Sequence, residues 1–129
     1  MDMNVIDIIK QDHGKALNAL SEAKDASKSR DIDQSWANVK KLLCGHMHAE
    51  ETVVYPVLKE FKKEDILEGI EEHNVAKILI EQMDDAPRND VWAAKLKVLT
   101  ESIEHHIEEE EEKILPADRL SAIGLALSA

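Results

Sequence analysis

Residues 46–56 read HMHAEETVVYP, and residues 106–116 read HIEEEEEKILP. Laid over one another at an offset of sixty residues, His46 meets His106, Glu50 meets Glu110, Glu51 meets Glu111 and Pro56 meets Pro116. The same offset holds further out. His13 meets His73, Ile6 meets Ile66, Ala16 meets Ala76, Leu20 meets Ile80, Val39 meets Leu99 and Leu43 meets Ile103. The chain is two copies of one helical hairpin. Each copy carries a lone His, then a second His with a Glu four residues on.

The apolar spacing predicts four helices. A first, over about residues 3–28, has Ile6, Ile9, Ala16, Leu20 and Ala23 on one stripe with His13 among them. A second, about 32–62, aligns Trp36, Val39, Leu43, His46, Glu50, Val53 and Val57, and Pro56 is expected to kink or interrupt it. A third, about 64–84, aligns Ile66, Ile70, His73, Ala76, Ile80 and Met83. A fourth, about 88–115, aligns Trp92, Leu96, Leu99, Ile103, His106 and Glu110 and stops near Pro116. Short polar connections force neighbouring helices antiparallel, which gives an all-α, up-down-up-down four-helix bundle with an internal pseudo-twofold repeat. The tail from Ala117 to Ala129 is expected to add a short amphipathic turn.

Composition agrees. A chain of 129 residues reads as a single domain over 1–129, long enough to bury a core without disulfides. Cys44 is the one cysteine, which fits a reducing compartment and predicts a cytoplasmic protein. There is no basic and apolar leader pattern and no apolar run of membrane-spanning length. A formal net charge of −11 argues against nucleic acid and anionic membrane as partners.

His46 and Glu50 lie one helical turn apart on one face, as do His106 and Glu110. With His13 and His73 they bring four imidazoles and two carboxylates to one level of the bundle. Two buried carboxylates without partners repel one another and are costly to desolvate, and cations remove that cost. Mixed imidazole and carboxylate donors suit iron, zinc or manganese, and bundle cores are an established place for two-metal carboxylate centres. The repeat predicts two equivalent half-sites. His48 and His105 lie off the inner stripe and are expected at the surface or edge. Glu108–Glu112 is a solvated run from which Glu110 points inward. Cys44 is expected to pack, Tyr55 to lie between helices or to hydrogen-bond a ligand carboxylate, and Trp36 and Trp92 to plug the core away from the metal level.

At "QDHGKAL" around His13, "HMHAEETVVYP", "EEHNVAK" around His73 and "HIEEEEEKILP", the chain resembles the hemerythrin-like, or HHE cation-binding, family. The resemblance covers roughly residues 5–116. It implies a non-haem centre of two Fe ions with an oxo or hydroxo bridge. His13 and His46 would hold one iron and His73 and His106 the other, while Glu50 and Glu110 would bridge both. Glu111 is the rival of Glu110, because the family sometimes places that carboxylate five residues after the His; the repeat favours Glu110. Respiratory members resemble His-x-x-x-His on the third helix, where this chain has Lys77. The missing imidazole implies open positions at both metals. It turns the expectation from oxygen carriage toward binding or sensing of oxygen or nitric oxide, with a protein partner to receive the signal. The alternatives are a di-iron oxidase, a peroxide-decomposing or nitric oxide reducing enzyme, or an iron storage or iron-centre repair protein.

Overall fold

The computed structural model describes residues 5–114. The helix α1 is Val5–Asp25. The next, α2, is Ser29–Ala49, prolonged by a π-helical turn, Glu50–Val54, and a last α-helical turn, Tyr55–Leu58. Then come α3, Lys63–Asp84, and α4, Asp90–Glu109, which ends in a second π-helical turn, Glu110–Ile114. There is no strand among the described residues. α1 packs on α2 and α4, and α3 packs on α4 and on both parts of α2. Short connections make consecutive helices antiparallel, so the four-helix bundle expected from the repeat is the fold. No helix among the described residues is long and apolar enough to cross a membrane. Pro116, the Ala117–Ala129 tail and the side chain of Ile6 lie outside the described residues.

Among the described residues the predicted stripes are the buried ones, apart from the half-buried Ile70 and one larger exception. Ala16, Leu20, Val39, Leu43, Ala76, Leu96, Leu99 and Ile103 form the main core. Trp36 and Trp92 cap it edge to face, their ring centroids 5.5 Å apart. The Trp36 indole donates to Asp84 and the Trp92 indole to the Met83 carbonyl, so neither N–H is lost on burial. The larger exception follows Glu50. Val53 is exposed and Val57 only half-buried, while Val54, Tyr55 and Leu58 are buried. The π-helical turn explains the change. The Tyr55 N–H donates to the Glu50 carbonyl five residues back, which adds about one residue to the turn and moves the inner stripe on by one position. Pro56 lacks an N–H and its ring crowds the preceding turn, which favours widening there. Thr52 assists: its hydroxyl donates to the His48 carbonyl at 2.8 Å. Cys44, expected to pack, is exposed, because it lies across the helix from His46.

Candidate metal centre

His13, His46, Glu50, His73, His106 and Glu110 are all buried and meet between the helices. One group of donors is His13, His46, Glu50 and Glu110; the other is His73, His106, Glu50 and Glu110, and within each the donor atoms lie within 4.8 Å of one another. The two carboxylates are shared and span the halves. Glu50 Oε1 is 3.2 Å from Nε2 of both His46 and His73. Glu110 places Oε1 3.2 Å from His13 Nε2 and Oε2 3.1 Å from His106 Nε2. Nε2 of His73 and Nε2 of His106 are 3.0 Å apart.

The outer face of each ring explains why the inner nitrogens point together. His13 Nδ1 lies 2.9 Å from Glu111, His73 Nδ1 2.8 Å from Glu51 and His106 Nδ1 2.7 Å from Glu72. His46 Nδ1 faces Asp12 at a looser 3.6 Å. An ionised carboxylate only accepts, so it holds the proton on Nδ1 and leaves the Nε2 lone pair facing inward. These four acids obey the same offset of sixty: Glu51 pairs with Glu111, and Asp12 with Glu72. In the sequence Glu51 aligns with Glu111, of which Glu111 is the rival of Glu110 as a ligand; neither is expected there behind an imidazole, and Asp12 and Glu72 do not stand out. Their adjacency to the repeated motifs was the available signal. Glu111, the rival of Glu110, sits on the outer edge of His13.

A test of fit is whether these atoms satisfy one another without a cation. They do not. Nε2 of His13 and of His46, both oxygens of Glu50 and Oε1 of Glu110 are buried without a hydrogen-bond partner, an arrangement that costs free energy unless something charged fills it. The donor atoms of each group lie close enough together to be offered to one ion. Without a cation the cluster draws protons instead. Burial pushes His106 down, but Glu110, Glu72 and Glu50 outweigh it and raise its pKa to about 9. His46 is likewise raised, because Glu50, Glu110 and Asp12 outweigh its burial. Burial pushes Glu110 up, yet contacts with Glu50, His106 and His13 hold it well below the usual carboxylate range.

Tyr55 breaks the symmetry. Its hydroxyl donates to Glu110 Oε2 at 2.7 Å and lies 3.4 Å and 3.3 Å from Nε2 of His73 and His106. It therefore bonds an inner carboxylate as well as packing between helices. Burial, with Glu110 and Glu50 adding to it, keeps the phenol protonated far above its ordinary range. Gly69 makes the room: a Cβ there would stand 3.2 Å from the Tyr55 hydroxyl. Lys77 is exposed and turns outward, with Nζ 3.0 Å from both oxygens of Glu51. It supplies nothing to the inner cluster. His48 is exposed, and His105 sits at the edge beside Glu109 and Glu72. A cavity of about 480 Å³ beside Trp92, Ile32 and Leu96 contains none of the six inner groups.

A helical bundle with four inward imidazoles, two shared carboxylates and a ring of outer acids is a metal-binding protein. The chain belongs to the hemerythrin family: the Hemerythrin HHE cation binding domain matches residues 4–117. It is also similar to a protein of the cyanobacterium Nostoc sp. described as a DNA nickase, 29% identical over 120 residues. That stretch is 92% of this chain and 34% of the relative, so the chain spans about a third of that protein's length. No solved structure matches the chain.

Proposed function

We propose that this chain is a non-haem di-iron protein that binds or senses a diatomic ligand, oxygen or nitric oxide. In this reading His13 and His46 hold one iron, His73 and His106 the other, and Glu50 and Glu110 bridge both. The carrying observation is that each carboxylate reaches an imidazole of both halves. Iron held by these residues would supply the electrons and the binding position that such ligands require.

The surroundings support an uncharged ligand. A cleft of about 270 Å³ reaches His46 and Glu50 between Ile8, Ile9, Val53 and Val54. Its walls are apolar, so a neutral molecule meets no desolvation cost there, whereas an anion meets Glu50 and Asp12. At the other end the Tyr55 hydroxyl lies where a ligand on the His73–His106 side would come. We therefore assign ligand access to the His13–His46 end. Equal access at both ends is what Lys77 implies unless another side chain, Tyr55 among them, fills a position, and the Tyr55 hydroxyl stands at the His73–His106 end.

Turnover of peroxide or nitric oxide is the second reading: the Tyr55 hydroxyl stands beside the centre and donates to Glu110, although it lies at the end away from the apolar cleft and holds its proton tightly. Iron storage or iron-centre repair is a third. We do not carry over the nickase activity named for the Nostoc protein, because two thirds of that protein lie outside the matched region and the charge of −11 repels a phosphate backbone. The test is iron-loaded protein, reduced and mixed with nitric oxide under an absorption spectrometer. Saturable spectral change that Val53→Trp blocks is expected. No change at millimolar ligand contradicts the reading, and sustained peroxide consumption promotes the enzyme above the sensor.

A further inference from the structure

The two faces of the pseudo-twofold frame have diverged. Where the apolar cleft has Ile8, Ala49 and Val53, the equivalent positions of the other face hold Glu68, Glu109 and Lys113, and Gly45 is answered by His105. On that face Glu72, His105 and Glu109 bring one donor atom each to within 4.8 Å of one another. His105 Nε2 is 3.3 Å from Glu109 Oε1 and 3.9 Å from Glu72 Oε2. Glu68 also reaches the Glu109 carboxyl. Lys113 Nζ, 3.7 Å from Glu109 Oε1, is the cation that partly balances these acids.

We propose that Glu72, His105 and Glu109 form an outer site for a divalent transition-metal cation, distinct from the six buried donors. The donor chemistry is that of such an ion: one imidazole and two carboxylates, on two helices, half exposed and open to water ligands. His105 and Glu109 are one helical turn apart, the spacing that presents both to one ion. Glu72 gives the site a direction. Its Oε1 accepts from His106 Nδ1 at 2.7 Å while its Oε2 faces His105. One carboxylate thus touches the outer cluster and an imidazole of the buried one. A cation held outside lies one side chain from the centre, on the charged face and away from the apolar cleft. Loading from this face rests on the reading that the buried groups hold metal; the outer site itself does not.

The experiment uses the full chain with Zn²⁺ as a redox-silent probe. Protein saturated at its buried centre is titrated further by calorimetry, and bound zinc is counted after equilibrium dialysis. The wild type is expected to take one further, weaker equivalent, which His105→Ala and Glu109→Gln lose. Both variants should keep the buried equivalents, and that count reads the buried centre separately. Zinc uptake by metal-free protein at limiting concentration should also slow severalfold in His105→Ala. A wild type with no further equivalent, or one retained unchanged in His105→Ala, overturns the outer site. Unchanged uptake rates overturn its role in loading. Equal melting temperatures of the metal-free wild type and His105→Ala would show that the lost equivalent is not a folding defect.

Discussion

Each inward-facing imidazole has an acid at its back, and the inner and outer carboxylates should separate sharply in mutants. Glu50 and Glu110 each approach imidazoles from both halves, so Glu50→Ala or Glu110→Ala removes a donor from both metals and is expected to empty the centre. Glu51 and Glu111 hold Nδ1 protons on the outer edges of His73 and His13. Their alanine variants should still take two metals, with affinity lower by about 10–100-fold. Metal counting on dialysed protein decides it; an empty Glu111→Ala beside a filled Glu110→Ala would reverse the assignment. Tyr55 gives a second prediction. Tyr55→Phe removes the donor to a fully buried carboxylate, so metal-free protein should lose about 1.5–3 kcal/mol in urea unfolding. Gly69→Ala should weaken the same contact by crowding the hydroxyl. Unchanged stability in Tyr55→Phe would mean that the bond contributes nothing. The six inner residues were legible because they repeat. The outer acids repeat as well, but acids are common on solvated helix faces and only the ring orientations reveal what they hold. Tyr55 has Leu115 as its counterpart and Gly69 has Ile9, so no repeat pointed to that pair.

Extended at 3.6 residues per turn, the second stripe runs on through Val53 and Val57, and the fold departs from that extrapolation at the π-helical turn. Nothing in the composition of EETVV announces a wider turn; Pro56 signals an interruption but not its direction or its effect on register. The helices before that point lie close to their predicted positions, because short connections and apolar spacing act locally. The extra residue in the turn is what brings Tyr55 and Leu58 inward. Deleting Thr52, an exposed residue of the turn, should restore α-helical spacing and leave Tyr55 one ordinary turn from Glu50, still facing inward. Tyr55 is the only tyrosine in the chain, so its ionisation can be followed by ultraviolet absorption. In the wild type no tyrosinate should form until the protein unfolds in alkali, since burial raises the phenol. The deletion variant should likewise form none near the ordinary phenol value of about 10. A wild-type tyrosine that ionises at that value while folded would contradict the buried placement.

At the scale of the molecule, the centre ties four helices together, so metal and protons compete for a site that the fold has assembled. His106 and His46 are raised above their unfolded value when no metal is bound. Their protonation therefore stabilises the metal-free fold fully below a pH of about 6.5. That contribution is lost as the pH climbs toward about 9. Metal-free protein should thus melt lower at pH 9 than at pH 6.5, while apparent metal affinity rises across the same window as protons leave the donors. Melting curves and metal titrations at both pH values check this, and a metal-free stability that rises over that range would contradict it. Bound metal should in turn add about 2.7 kcal/mol at a hundredfold excess over its dissociation constant. The repeat makes the whole molecule readable as two equal halves. The inequality of the halves, an apolar cleft on one face and a charged cluster on the other, becomes readable only when helix register fixes which residues share a face. The central claim is that the two halves share one pair of carboxylates and so hold two metals together. Native mass spectrometry of protein reconstituted with excess ferrous iron tests it most directly. The account predicts a chain carrying two buried ions, with the one-ion species scarce at intermediate loading because each carboxylate serves both. A chain that saturates with a single tightly held ion would contradict it.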